Sequence, residues 1–216
     1  MRFKDKLFFN YFFRILNYYY NPYFKKLNEL KKLKLNSNSI FIDIGGNRGF
    51  VSNYIIDYFD CFIDIYEPHP ACLKLLKKKF KKNLKVKIFD FAVSDIDSTS
   101  KLYLSPHSEN EIDFSAASSL EKKKSNISEH HYVYIKTINL EKILNKYKFI
   151  DVIKIDIEQH EYKILPILYK YLDKIDKIVI ELHDDAKNVE INNQYLYWKN
   201  KIAEDKLWNK KFFDWL

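Results

Sequence analysis

A chain of 216 residues is long enough for one α/β domain with a full core and short for two. Its 37 Lys and Arg against 29 Asp and Glu leave a net charge of +8, which admits a nucleic-acid or anionic-membrane partner, but the lysines are spread over amphipathic segments and read first as solvated faces. Two cysteines, Cys61 and Cys72, exclude a disulfide framework, and no run approaches the ~18 uncharged residues of a membrane span, so a cytoplasmic protein with buried thiols is expected.

Residues 1–36 form an aromatic and basic segment, from Phe3 through Tyr18-Tyr19-Tyr20 to Phe24-Lys25-Lys26, and Pro22 should divide it into two helices. Packing under the main domain is the default for these helices. Peripheral membrane contact through residues 1–30, with aromatics in the interface and lysines at the headgroups, is the alternative. Residues 37–216 read as the main domain. All three glycines of the chain, Gly45, Gly46 and Gly49, lie in one turn. A buried-strand pattern over 40–44 precedes them and a helical pattern over 50–59 follows. Strand, glycine turn and helix N-terminus make a nucleotide cradle, with backbone N–H groups pointing at the ligand. The next strand, over 61–66, ends in Glu67, where Pro68 and Pro70 stop it and start a helix running to about Lys82. A carboxylate at the end of the second strand is placed to grip the hydroxyl pair of a ribose.

A third strand is read over 86–93, with Asp90-Phe91 near its end, and a short extra strand over 101–104. Residues 105–131 turn polar, the mark of a lid or acceptor-binding loop, and His130 and His131 within it read as exposed. Tyr132–Lys136 alternates as a strand, and Asn139 should cap a helix running to Lys148. The stretch 151–161 is an apolar strand interrupted by Lys154, Asp156 and Glu158, opening into a helix over 162–172. Charges in a central parallel strand are costly unless paired or used, and strand C-terminal ends line the ligand crevice. Asp156 and Glu158 should therefore share a site with the glycine turn. His160 reads as a helix-start surface residue. A strand over 177–183 ends in Glu181, His183, Asp184 and Asp185, and the tail from about Asn193 reads mainly as helix laying aromatics on the sheet. The alternating order predicts an α/β fold with a doubly wound, mostly parallel sheet and an N-terminal helical extension.

Taken in order, these residues resemble the FkbM-type S-adenosylmethionine-dependent methyltransferases. Asp43-Ile44-Gly45-Gly46-Asn47-Arg48-Gly49 matches that family's Asp-x-Gly-x-Asn-x-Gly turn, and Tyr66-Glu67-Pro68 its Glu-Pro strand end. Phe91–Asp95, Ala117–Leu120 and Lys136–Leu140 follow, then Lys154-Ile155-Asp156-Ile157-Glu158-Gln159-His160-Glu161 for Lys-x-Asp-x-Glu-Gly-x-Glu, and Ile180–His183. The resemblance covers roughly residues 38–185. It implies a Rossmann-like class I methyltransferase fold and an O-methyltransferase acting on a hydroxyl of a saccharide or another small metabolite. It also implies the site. Asp43 would sit near the ammonium of S-adenosylmethionine, the turn of Gly45, Gly46, Asn47 and Gly49 would present donors to its carboxylate, and Glu67 would accept from its ribose. Asp90 or Phe91 would border the adenine, with Asp156 also at the cofactor. The base that takes the acceptor proton would be Glu158, His183 or Asp156.

Gln159 stands where the family has glycine, so the turn after Glu158 can differ. The final strand pair usual in methyltransferase folds is not found after His183, so the sheet is expected to be trimmed at that edge. A divalent cation held by Asp156 and the cluster Glu181, His183 and Asp184 is a variant of the same reaction. Two further functions share parts of the pattern. A dinucleotide-dependent oxidoreductase would use the turn and Glu67, but lacks Gly-x-Gly-x-x-Gly and would set Asp43 against a pyrophosphate. A binding module for RNA or a membrane surface would rest on the net charge and the N-terminal segment. For the enzyme, the expected partner is a small-molecule or glycan hydroxyl acceptor and no nucleic acid.

Overall fold

The computed structural model describes residues 27–104, 118–122, 124, 127 and 129–214. The chain divides into two compact units, 1–34 with Leu216, and 35–215. Of the first, the described part is a helix end that tightens into one 3₁₀ turn, Leu30–Lys32. The rest of the expected N-terminal helices, and residues 105–117 of the expected lid, lie outside the described residues.

The second unit runs β1 (Ile40–Ile44), α1 (Phe50–Phe59), β2 (Phe62–Tyr66), α2 (Pro70–Lys79), β3 (Val86–Phe89), β4 (Phe91–Ser94), β5 (Ser98–Tyr103) and β6 (Tyr132–Asn139). It continues with α3 (Leu140–Leu144), β7 (Ile150–Ile155), α4 (Glu161–Lys170), β8 (Ile175–Ile180), α5 (Val189–Glu204), α6 (Lys206–Lys211) and β9 (Phe212–Asp214). Six strands form one sheet in the order β3-β2-β1-β7-β8-β9, every neighbouring pair parallel. Strand order reverses between β1 and β7. In a doubly wound sheet that reversal opens a crevice at the strand C-terminal ends, so the fold itself places a ligand site beside Ile44 and Ile155.

Burial rather than helix propensity fixes the flanking helices. α4 carries Pro166 in its interior, which removes a helix hydrogen bond at a cost of about 3 kcal/mol. Its Ile164, Leu165 and Leu168 are fully buried against the sheet, each contributing about 1.5–3 kcal/mol, and together they outweigh the proline. On the same core lie Trp198 of α5 and Trp208 of α6, ring centroids 5.7 Å apart, so the aromatic tail does pack on the sheet. Both cysteines are buried thiols, as expected.

Three expectations change. The strand read over 86–93 is broken at Asp90: β3 pairs with β2 only as far as Tyr66↔Phe89, and beyond it the chain turns away so that β4 pairs with β6. With β5 antiparallel to β6, this makes a separate three-stranded sheet, β4-β6-β5. The helix capped by Asn139, whose side chain accepts the Glu141 N–H at 2.8 Å, ends at Leu144 once its apolar face is buried, rather than running to Lys148. The tail closes not with the usual strand pair but with β9, three residues parallel to β8.

Candidate active site

The glycine turn is built by contacts on the protein's own side. The N–H groups of Gly45 and Gly46 both donate to the Tyr66 carbonyl, at 3.0 and 3.2 Å, tying the end of β1 to the end of β2. Gly45 has φ +80°, and a Cβ there would stand 1.9 Å from the Asp156 carbonyl oxygen, so the turn presses directly on the end of β7. Gly49, at φ +70°, would set a Cβ 2.5 Å from Leu76 of α2. Left-handed backbone and close approach together leave glycine as the residue for both positions.

Beneath the turn lies a buried ion pair. Asp43 and Lys154 are register partners on β1 and β7, are 0 % and 2 % exposed, and stand 3.2 Å apart. Ser52 Oγ donates to Asp43 Oδ2 at 2.6 Å, and Lys154 Nζ donates to the Gly45 carbonyl at 2.8 Å. Asp43 thus lies under the turn with its charge met by Lys154. What it does for the turn is indirect, through the lysine that holds Gly45.

Glu67 lies at the end of β2, 5 % exposed. One carboxylate oxygen accepts the Asn47 N–H and the other the His69 N–H, each at 2.7 Å. Burial pushes its pKa up to about 7 against the opposing pull of those two amides and of Lys154. The same carboxylate therefore joins the glycine turn to the start of α2. Asp90 is exposed and Phe91 half-buried at the break between β3 and β4, next to this strand end, since the Glu67 N–H donates to the Phe89 carbonyl at 3.1 Å.

Across the crevice, Asp156, Glu158 and His183 come together, with one ligand atom of each within 4.8 Å of the others. Glu181 and Asp184 do not join them, which corrects the cation set expected from the sequence. His183 Nδ1 donates to Glu161 Oε1 at 3.0 Å, and its Nε2 faces Asp156 and Glu158 at 3.8 and 3.7 Å. Burial alone would lower the His183 pKa, but the Glu161 hydrogen bond and the Glu161, Glu158 and Asp156 charges push it up to about 9. Glu158 is shifted upward by burial, opposed by His183 and by Lys124, whose Nζ donates to Glu158 Oε2. A group with a raised folded-state pKa stabilises the fold fully below its unfolded value and ceases to do so above its folded one. The stability lost in His183→Asn should therefore be greatest at pH 6 and below, roughly 3 kcal/mol, and fall away as pH rises to about 9, as urea unfolding across that range would show.

The backbone here is strained, with φ +58° at Glu158 and +80° at Gln159. Gln159 thus keeps the glycine-like conformation, and its buried side chain is anchored by Nε2 to Asp185 Oδ2 at 3.3 Å. His160 is not a surface residue. It is 7 % exposed, with Nδ1 2.7 Å from Glu121 and Nε2 2.9 Å from Ser94 Oγ.

Lys124 and Glu121 of the polar loop are contributors that sequence reasoning passed over, while Ser119 and Glu161 lay in stretches matched to the family but were given no role. Ser119 Oγ donates to the Glu158 carbonyl. The available signals were the last Glu of the Lys-x-Asp-x-Glu-Gly-x-Glu match for Glu161, which the structure buries fully, and the Ala117–Leu120 match for Ser119. Lys124 and Glu121 gave none. His130 is exposed and His131 half-buried, and neither belongs to the Asp156 group. Among the described residues no helix is long and apolar enough to cross a membrane.

A search of curated proteins finds no match. Among solved structures, the chain is similar to SMU.1697c of Streptococcus mutans, assigned as a methyltransferase and solved with SAH: 11 % identity over 86 % of this chain and 84 % of that one, TM-score 0.49. An rRNA methylase of Streptococcus thermophilus gives 9 % identity over 86 % and 81 %, TM-score 0.47. The 23S rRNA methyltransferase ErmE matches over 31 % of this chain at 15 % identity and TM-score 0.27, and the chain spans 27 % of its length. A profile for the methyltransferase FkbM domain matches residues 43–204, from β1 through α5, well over half of the sequence. The crevice at the β1/β7 reversal, with its glycine turn, its strand-end Glu67 and the Asp156–Glu158 strand end opposite, lies wholly within that match: the chain belongs to the FkbM-domain methyltransferase family.

Proposed function

We propose that the chain moves the methyl group of S-adenosylmethionine to a hydroxyl of a small acceptor, a saccharide or related metabolite, with Glu158 as the base. The observation that carries the cofactor half is Glu67. Each of its oxygens spends one lone pair on a backbone N–H and keeps another, so an ionised Glu67 can accept from the two hydroxyls of a ribose while holding the turn and α2 in place. The cofactor supplies an electrophilic methyl on a sulfonium. The protein's part is to align the acceptor oxygen, exclude water and take one proton.

Of the three candidate bases, the geometry favours Glu158. His183 is held as an imidazolium below about pH 9, with no free lone pair to accept a proton, and acts by orienting the carboxylates around it. Asp156 Oδ2 lies 3.5 Å from Lys154 and Oδ1 3.8 Å from His183, so it is engaged as a counter-charge to both. Burial shifts Glu158 upward, which strengthens it as a base, and Lys124 steers its carboxylate. We read the same cluster as an ion-pair network and not a metal centre, because Lys124 and the imidazolium already neutralise the two carboxylates a cation would use. Methyl transfer should then persist after exhaustive chelation, and loss of activity restored by a divalent cation would reverse this reading.

The deciding experiment is calorimetry with S-adenosylhomocysteine. Wild type should bind it, and Glu67→Ala should weaken binding about tenfold or more, the worth of a charge-assisted hydrogen bond. Equal affinity in the variant would remove the ribose role, and no binding by wild type would remove the proposal.

A further inference from the structure

Between Pro70 and Phe89 the chain carries eight lysines and no Asp or Glu. In α2 and the turn that follows it, Lys74, Lys77, Lys78, Lys81 and Lys82 are exposed, as is Lys87 of β3. The first three stand at i, i+3 and i+4 on the outer face of α2, opposite the buried Cys72 and Leu76. None of these six ammonium groups has an ion-pair or hydrogen-bond partner among the described residues. The other two lysines are engaged by the fold: Lys79 donates to the Arg48 carbonyl at 2.6 Å, and Lys85 to the Asp60 carboxylate at 2.8 Å.

Leu84 sits among these charges and is 96 % exposed. Its turn is held, because Asn83 Oδ1 accepts the Lys85 N–H at 3.0 Å and the Lys85 carbonyl accepts the Ile63 N–H at 2.9 Å. That pairing also sets Phe62, 45 % exposed at the start of β2, with its ring 5.6 Å from the Lys85 ammonium. Two apolar side chains thus stand out of a basic surface at the N-terminal ends of β2 and β3. Local structure accounts for part of it. Lysines in a last helical turn complement the helix dipole, which covers Lys77 and Lys78, and a lysine on an edge strand discourages pairing with another chain, which covers Lys87. Neither reaches Lys74, Lys81 or Lys82, and neither brings a leucine into water.

We infer that this face seats the protein on an anionic lipid bilayer, with the lysines at the headgroups and Leu84 and Phe62 in the interface. Such binding combines buried apolar area with attraction to anionic lipid, and the face supplies both. RNA would meet the same charge, but the chain has no arginine after Arg48 to stack on bases, and a leucine offers a phosphate backbone nothing to bond. The inference goes beyond methyl transfer and uses a face separate from residues 1–30. The face lies at the opposite end of β2 from Glu67, so a docked molecule keeps its cofactor crevice open to water.

The test is sedimentation of the full chain with vesicles of phosphatidylcholine, alone or mixed with phosphatidylglycerol. The protein should pellet with the mixed vesicles only, and raising the salt to about 0.5 M should release it. Lys81→Gln/Lys82→Gln should weaken partitioning about tenfold or more, and Leu84→Ser by about threefold or more. Lys206→Gln/Lys210→Gln, which removes the same charge from exposed positions of α6 beside the other edge of the sheet, should leave it near wild type. Unchanged urea midpoints in the three variants would show that the fold is kept. No binding to mixed vesicles, equal losses in the two lysine pairs, or binding that survives in both Lys81→Gln/Lys82→Gln and Leu84→Ser would overturn the assignment. Binding of poly(U) in place of vesicles, lost in Lys81→Gln/Lys82→Gln and unchanged in Leu84→Ser, would overturn it in favour of RNA.

Discussion

Lys154→Met should destabilise the protein by about 3–5 kcal/mol, because it leaves Asp43, fully buried on β1, as an uncompensated charge. Ser52 still donates one hydrogen bond to Asp43, which offsets only part of that cost. Asp43→Asn should also destabilise, but by less, because Lys154, at 2 % exposure, keeps Asp156 at 3.5 Å as a counter-charge. The double variant Asp43→Asn/Lys154→Met should recover most of the loss, since removing both charges removes the burial problem itself. Urea unfolding of the four proteins, followed by tryptophan fluorescence, closes the cycle. A Lys154→Met protein within ~1 kcal/mol of wild type would show that the pair is solvated in solution, contrary to its burial. The double variant also separates stability from function. It restores the fold but not the Lys154 bond to the Gly45 carbonyl, so S-adenosylhomocysteine should bind it more weakly than wild type.

That pair marks how far the sequence could be read. Lys154 in a central strand signalled a charge that had to be paired or used, and the signal was sound. The partner was not legible, because pairing Asp43 with Lys154 requires β1 beside β7, residues more than a hundred positions apart, and parallel register follows from topology rather than local pattern. A carboxylate two residues before a glycine turn has no periodic feature that says whether it points up at the crevice or down into the core. The strands over 40–44 and 61–66 and the helix over 50–59 carried strong periodicity and were read correctly, and the helix begun at Pro70 was read about three residues too long. The break at Asp90 was missed, since one apolar run continues across it and only the end of the β2 pairing divides it. His160 was misread because the residues that bury it, Ser94 and Glu121, come from the second sheet and the polar loop.

Gln159 shows a subtler case. A glutamine at a family glycine position suggested altered geometry, yet the backbone there is left-handed as a glycine would have it. The strain of a non-glycine residue in this region is of order 1–3 kcal/mol, and it sits next to the proposed base, where strain commonly gathers. The buried amide bond from Gln159 to Asp185 gives the local structure a hold that glycine lacks, and so fixes the end of α4 that carries His160 and Glu161 relative to the β8 end that carries His183.

Glu158 is where these restraints converge, and its removal should produce the largest catalytic loss. On an acceptor that the wild type methylates, Glu158→Gln should lower kcat by about 10²–10⁴, the range for a general base, while S-adenosylhomocysteine affinity changes little. Gln is close in shape and keeps an oxygen for Lys124, so the Lys124 ammonium is not left without an acceptor. Asp156→Asn should cost less in kcat, because Asp156 pairs with Lys154 and His183 rather than taking the proton. The pH profile carries the sign of the assignment. A base must be ionised, so kcat should rise with pH through the upward-shifted Glu158 value, and that limb should vanish in Glu158→Gln. Above about pH 9 the imidazolium of His183 discharges and the carboxylates lose their counter-charge, so activity should fall again together with stability. A Glu158→Gln enzyme with wild-type kcat and an unchanged rising limb would transfer the base role to Asp156, whose own variant would then show the larger loss.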